Sequence, residues 1–68
     1  QAPYKYSYVD ALNNLGRVYA RQGKLDLAIS QFRRALNVME NYPQGWNNLG
    51  YALALKGLYF EAALVFEE

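Results

Sequence analysis

The sequence predicts an all-α helical solenoid of two helix-turn-helix hairpins, the second truncated. Three observations carry this expectation. First, Trp46-Asn47-Asn48-Leu49-Gly50 repeats Leu12-Asn13-Asn14-Leu15-Gly16 at an offset of 34 residues. At that offset Ala20 also falls on Ala54, Gly23 on Gly57, Ala28 on Ala62 and Phe32 on Phe66. Eight of the 26 pairs from Val9/Pro43 to Arg34/Glu68 are identical, where chance gives about two at ordinary composition. A period of this length belongs to stacked helical units. Second, apolar residues recur at i, i+3, i+4 and i+7, the spacing of one helix face. Third, Gly23 and Gly57 stand alone between apolar segments, where a left-handed helix terminus favours glycine.

Residues 1–6 read as an extended lead-in. Pro3 biases Ala2 away from helix, and Tyr4, Tyr6 and Tyr8 alternate as a short strand would, or pack as aromatics on the first helix. The first repeat then spans residues 7–40. Ser7 is placed to N-cap its first helix, with Asp10 three residues on as in a capping box. That helix runs from Tyr8 to Gln22, with Leu12, Leu15, Gly16 and Tyr19 on one stripe.

The second helix runs from Leu25 to Met39 and gathers Leu25, Ala28, Ile29, Phe32, Ala35 and Leu36 on a single face. Asn41-Tyr42-Pro43 interrupts the pattern. Pro43 is tolerated at the first position of a helix, where its missing N–H costs nothing. The second repeat, residues 41–68, holds a third helix from Pro43 to Lys56 and a fourth from Tyr59 to the chain end. The chain reads as part of a longer protein, or as a fragment that borrows surface from a partner, because repeat arrays are usually longer and capped.

Gly16 and Gly50 each cost about 1 kcal/mol inside a helix. A helix keeps such a glycine where a second helix must come close. Ala28 and Ala62 supply the small partner surface, and Phe32 and Phe66 fill the space beside it. Leu15, Gly16, Tyr19, Ala28, Phe32, Trp46, Leu49, Gly50 and Phe66 are therefore expected to be core, with Trp46 across the junction between hairpins. Two-residue loops favour antiparallel neighbours.

The second copy, Trp46-x-x-Leu49-Gly50 followed by Ala62-x-x-x-Phe66, resembles the tetratricopeptide repeat, and so does the first copy in Leu12, Leu15-Gly16, Tyr19, Ala28, Phe32 and Ala35. Leu12 stands for the expected Trp, Leu53 for the Tyr, and Glu40 for the closing Pro. The resemblance covers residues 7–68. It implies a right-handed solenoid whose concave face is lined by the first helix of each pair, and a role in binding proteins. The peptide-binding groove would then carry Asn13, Arg17 and Arg21 from the first helix and Gln44, Asn47, Asn48, Tyr51 and Leu55 from the third. Asn amides donate and accept at once, and Arg17 and Arg21, one turn apart, suit a carboxylate. Some family members grip a C-terminal carboxylate with a Lys/Asn/Arg clamp. Asn48 matches one clamp asparagine, but Asn13 and Arg17 do not match the lysine and the other asparagine. The resemblance therefore does not extend to a chaperone-tail clamp, and an acidic peptide stays open as a ligand.

Phe60 and Leu64 occupy the positions of Asp26 and Ser30 in the first repeat. They lie i, i+4 and form an apolar spot on a face that should be polar. The alternative function is thus a structural or oligomerisation element, packing in a larger complex through Phe60 and Leu64.

Composition excludes much else. The 68 residues include no Cys and no His, so there is no disulfide, no imidazole base and no imidazole or thiolate metal ligand. Ser7 and Ser30 are the only hydroxyl nucleophiles apart from the tyrosine phenols. The six carboxylates show no metal-like cluster, and no Gly-rich phosphate loop is present. The chain is expected not to be an enzyme and to use no cofactor or metal. Net charge is +1, which argues against nucleic acid as a partner. Charge is uneven: residues 1–42 hold six basic and three acidic side chains, and residues 43–68 hold one and three. No apolar run reaches the ~18 residues of a membrane span, and no signal peptide is visible.

Overall fold

A computed structural model describes residues 4–67. Four helices follow one another: α1 (Tyr4–Arg21), α2 (Leu25–Val38), α3 (Pro43–Leu55) and α4 (Tyr59–Phe66). The pairs α1–α2 and α3–α4 are helical hairpins, and α3 lies against both helices of the first pair. No strand occurs among the described residues.

The two hairpin turns are near copies. Gly23 and Gly57 have φ of 79° and 92°, the left-handed region in which a Cβ is strained. Lys24 N–H bonds Tyr19 O at 2.9 Å and Gly23 N–H bonds Ala20 O at 3.0 Å; Leu58 to Leu53 and Gly57 to Ala54 repeat the pattern, both at 2.9 Å. These paired bonds satisfy carbonyls that a helix end otherwise leaves open. The residues that enter the next helix match as well: Lys24 at φ −90°, ψ 71° and Leu58 at φ −90°, ψ 68°.

Each hairpin closes on a glycine and a phenylalanine. A Cβ on Gly16 would lie 2.5 Å from the Phe32 ring, and one on Gly50 would lie 2.5 Å from the Phe66 ring. Glycine is required here by close approach, which offsets its helix cost. Gly45 plays the same part between hairpins, since a Cβ there would meet Tyr42 at 2.7 Å and Leu36 at 2.9 Å. The core runs from Val9 and Leu12 through Ala28, Ile29, Phe32, Ala35 and Leu36 to Tyr42, Leu49, Ala52, Leu53 and Ala62.

Several expectations are corrected. Tyr4–Tyr6 are not an extended lead-in but the first turns of α1, and residues 1–3 lie outside the described residues. Tyr4-Lys5-Tyr6-Ser7 contains no helix breaker, and extending an existing helix gains a hydrogen bond for each residue ordered. Ser7 accordingly sits inside α1 and caps nothing. Leu15 and Phe66, expected in the core, are exposed. Leu15 keeps 41% of its surface open although Leu12 and Gly16 on the same helix are buried. Phe66 lies on Gly50 with one face while its other face stays open. The fourth helix ends at Phe66, with Glu67 as its C-cap; its expected reach to the chain end falls outside the described residues.

Candidate functional site

The face shared by α1 and α3 holds a recess of ≈ 230 Å³ lined by Arg17, Ala20, Arg21, Phe32, Asn48, Tyr51 and Leu55. Arg17, Ala20 and Arg21 lie at i, i+3 and i+4 on one side of α1, and Asn48, Tyr51 and Leu55 at i, i+3 and i+7 on one side of α3, where Tyr51 and Leu55 are the repeat counterparts of Arg17 and Arg21. Phe32 is buried and reaches the recess from below, beside Gly16. The result is an aromatic and aliphatic floor with cationic and amide groups at the rim.

The electrostatics of this face are one-sided. Arg17 and Arg21 are exposed and make no ion pair among the described residues. Both ion pairs lie elsewhere, between α2 and the second hairpin: Arg33 to Glu61 at 3.7 Å and Lys56 to Asp26. Two guanidinium groups one turn apart above an apolar floor suit a carboxylate joined to an apolar group, because an arginine fork can bind a carboxylate bidentately.

Of the sequence-predicted groove residues, Arg17, Arg21, Asn48, Tyr51 and Leu55 are brought together. Asn13 is not on that surface. It is buried, and its Oδ1 accepts a 3.0 Å hydrogen bond from Asn48 Nδ2. Gln44 is exposed outside the recess. Asn47 lines a different depression, of ≈ 440 Å³, with Trp46, Val65 and Phe66 at the far end of the second hairpin. Phe60 and Leu64 are exposed on α4 and line neither.

The hairpins are held in register by groups that sequence reasoning missed. The Tyr42 hydroxyl donates to Asp10 Oδ1 at 2.6 Å. Burial first, then the hydrogen bond and charge of Asp10, and last the nearby Tyr6, push that phenol from its ordinary 10.0 up to about 12. Trp46 Nε1 donates to the Glu40 carbonyl at 2.7 Å, which pins α3 to the linker before it. The visible signal for Tyr42 was its place between two apolar segments next to Pro43; nothing local marked Asp10 as its acceptor. Among the described residues no group of three carboxylates could hold a metal ion, and no helix is long and apolar enough to cross a membrane.

Comparison with known proteins agrees with this architecture. A family model described as "TPR repeat" matches residues 16–57, more than half of the chain. The chain is 43% identical over 56 residues to "Tetratricopeptide repeat domain-containing protein PYG7, chloroplastic" of Arabidopsis thaliana, a match that covers 82% of this chain and 19% of that protein. The chain thus corresponds to about a fifth of the length of that relative. No solved structure gives a significant match. Repeats of this kind are generally non-catalytic modules of protein–protein interaction. With its duplicated Gly–Phe hairpin, its 34-residue offset and these matches, the chain belongs to the tetratricopeptide repeat family.

Proposed function

We propose that the chain is a peptide-binding module that acts within a scaffold or assembly factor, taking an acidic protein segment into the α1–α3 groove. The observation that carries this reading is that Arg17 and Arg21, exposed and without an ion pair among the described residues, stand beside Phe32, Tyr51 and Leu55. A carboxylate docks on the arginines, an adjacent apolar side chain settles on the floor, and the Asn48 amide is placed to meet the peptide backbone. Asn13 serves this surface indirectly, by fixing the Asn48 side chain.

Fluorescence anisotropy with a labelled peptide carrying acidic and apolar residues tests the reading. Arg17→Glu is expected to weaken binding more than Arg17→Ala, because repulsion adds to the lost attraction. Added salt weakens binding to the wild type more than to the alanine variant. Melting curves stay in place, since exposed charges contribute little to folding. Equal affinity in all three proteins contradicts the groove.

A further inference from the structure

The repeat does not call for the two arginines of the α1–α3 recess. At the 34-residue offset the counterpart of Arg17 is Tyr51 and that of Arg21 is Leu55, and α3 forms without a charge at either place. Like charges at i, i+4 on one helix also repel. Arg21 stands in the last turn of α1, where the helix dipole favours a cation, but that effect fades within a turn and does little for Arg17. No carboxylate lines the recess to offset the pair. Three carboxylates are engaged elsewhere: Asp10 accepts from Tyr42, Asp26 pairs with Lys56, and Glu61 pairs with Arg33. Two positive charges one turn apart therefore stand beside an apolar surface with no anion among the described residues of the recess.

That charge bears on the ligand. A segment that covers the recess takes water away from both guanidinium groups. A single carboxylate neutralises one of them and leaves the other covered without a counter-charge, which costs more than leaving it hydrated. A phosphate monoester carries about −1.5 to −2 charges at neutral pH and three acceptor oxygens, enough for both arginines at once. The amide at the edge of the recess is already oriented. Asn48 gives one Nδ2 hydrogen to Asn13 Oδ1 at 3.0 Å, which leaves its second N–H and its Oδ1 for a ligand.

We infer that the preferred ligand of the groove is a protein segment with a phosphorylated side chain. The phosphate bridges Arg17 and Arg21, and the carbon atoms that carry it rest against Tyr51 and Leu55. The inference rests on the peptide-site reading of the α1–α3 groove and narrows its ligand from acidic segments in general to phosphate monoesters. An unmodified serine or tyrosine at the same place brings no charge, so capture of the segment follows its phosphorylation. A nucleic-acid backbone is a phosphodiester with one charge per phosphate, and in this respect it matches the pair no better than a carboxylate does.

Fluorescence anisotropy with one labelled pentapeptide, glycine-alanine-X-leucine-glycine, tests this, X being serine, glutamate, phosphoserine or phosphotyrosine. The better phosphopeptide is expected to bind about tenfold tighter than the glutamate peptide, as one further charge-assisted contact implies, and the serine peptide weakest of all. Which of the two phosphopeptides leads shows whether the phosphate sits on a short or an aromatic side chain. Arg17→Gln and Arg21→Gln, both at exposed positions, are each expected to bring the phosphopeptide down toward the glutamate peptide, with circular dichroism melts unchanged. The chain has no His, so among side chains the phosphate, with its second pKa near about 6, is the group that titrates between about pH 5.5 and 7.5. Lowering the pH over that interval is expected to shrink the phosphopeptide's advantage and to leave the glutamate peptide nearly unchanged. Equal affinity for glutamate and phosphopeptides overturns the inference and leaves the acidic-peptide reading standing. So does an advantage that survives either arginine variant or the drop in pH. A thymidine decanucleotide that binds as tightly as the phosphopeptide overturns it in favour of a nucleic-acid backbone. Failure of every charged peptide to bind overturns both the inference and the groove reading beneath it.

Discussion

Asn48 Nδ2 donates a 3.0 Å hydrogen bond to Asn13 Oδ1, so members of the duplicated Asn-Asn pair from different hairpins hold one another. Asn13 is buried and Asn47, its twin, is exposed. Removing Asn13 strips a buried hydrogen bond and leaves the Asn48 amide without its acceptor. Asn13→Ala should therefore cost about 1–3 kcal/mol, while Asn47→Ala should stay within about 0.5. Urea denaturation of the two variants checks this, and equal costs would mean the bond contributes nothing.

Gly16 and Gly50 meet their phenylalanines at the same 2.5 Å, yet they should respond differently to alanine. Phe32 is enclosed and cannot retreat, so Gly16→Ala is overpacked and should cost about 1–3 kcal/mol. Phe66 has an open outer face and can swing aside. Gly50→Ala then also gains about 1 kcal/mol of helix propensity and should be close to neutral. Gly50→Leu exceeds what the ring can yield and should destabilise well beyond Asn47→Ala. Thermal melts of the three glycine variants give the ranking directly.

The Tyr42–Asp10 bond makes stability depend on pH in the alkaline range. The Tyr42 hydroxyl lies at about 12 in the folded chain against an ordinary 10.0. A raised folded value means the stabilisation is fully present below pH 10 and fades as pH rises toward 12. Tyr42→Phe should lose about 1.5 kcal/mol at neutral pH, near the lower end for a bond to a charged acceptor, since Asp10 remains solvated. The difference in stability between wild type and Tyr42→Phe should shrink over that alkaline interval. A difference that is constant with pH would contradict the assignment.

What the sequence made legible was whatever repeats. The Gly–Ala–Phe pattern placed both hairpins and their closing contacts, and Gly23 and Gly57 placed both turns. Arg17, Arg21, Asn48, Tyr51 and Leu55, which gather at one recess, were named from the family resemblance, since helical spacing alone does not say which face of the stack is concave. The failures lie where one copy has a neighbour and the other does not. Leu15 and Leu49 are the same residue type in the same pattern, but only Leu49 is covered, and periodicity alone cannot distinguish them. Asn13 was placed on the wrong surface for the same reason: its hydrogen bond is made to a residue 35 positions away, beyond any local pattern. The start of α1 was missed because alternation of Tyr4, Tyr6 and Tyr8 imitates a strand, while helix extension decides the outcome.

The central claim is that the α1–α3 groove is the peptide site, and amide chemical-shift mapping tests it most directly. On titration with an acidic peptide that carries an apolar residue, the largest shifts should fall on Arg17, Arg21, Asn48, Tyr51 and Leu55, and reduced shifts should follow Arg17→Glu. Shifts confined to Phe60 and Leu64, or to Asn47 and Phe66, with the Arg17 and Tyr51 amides unmoved, would contradict it.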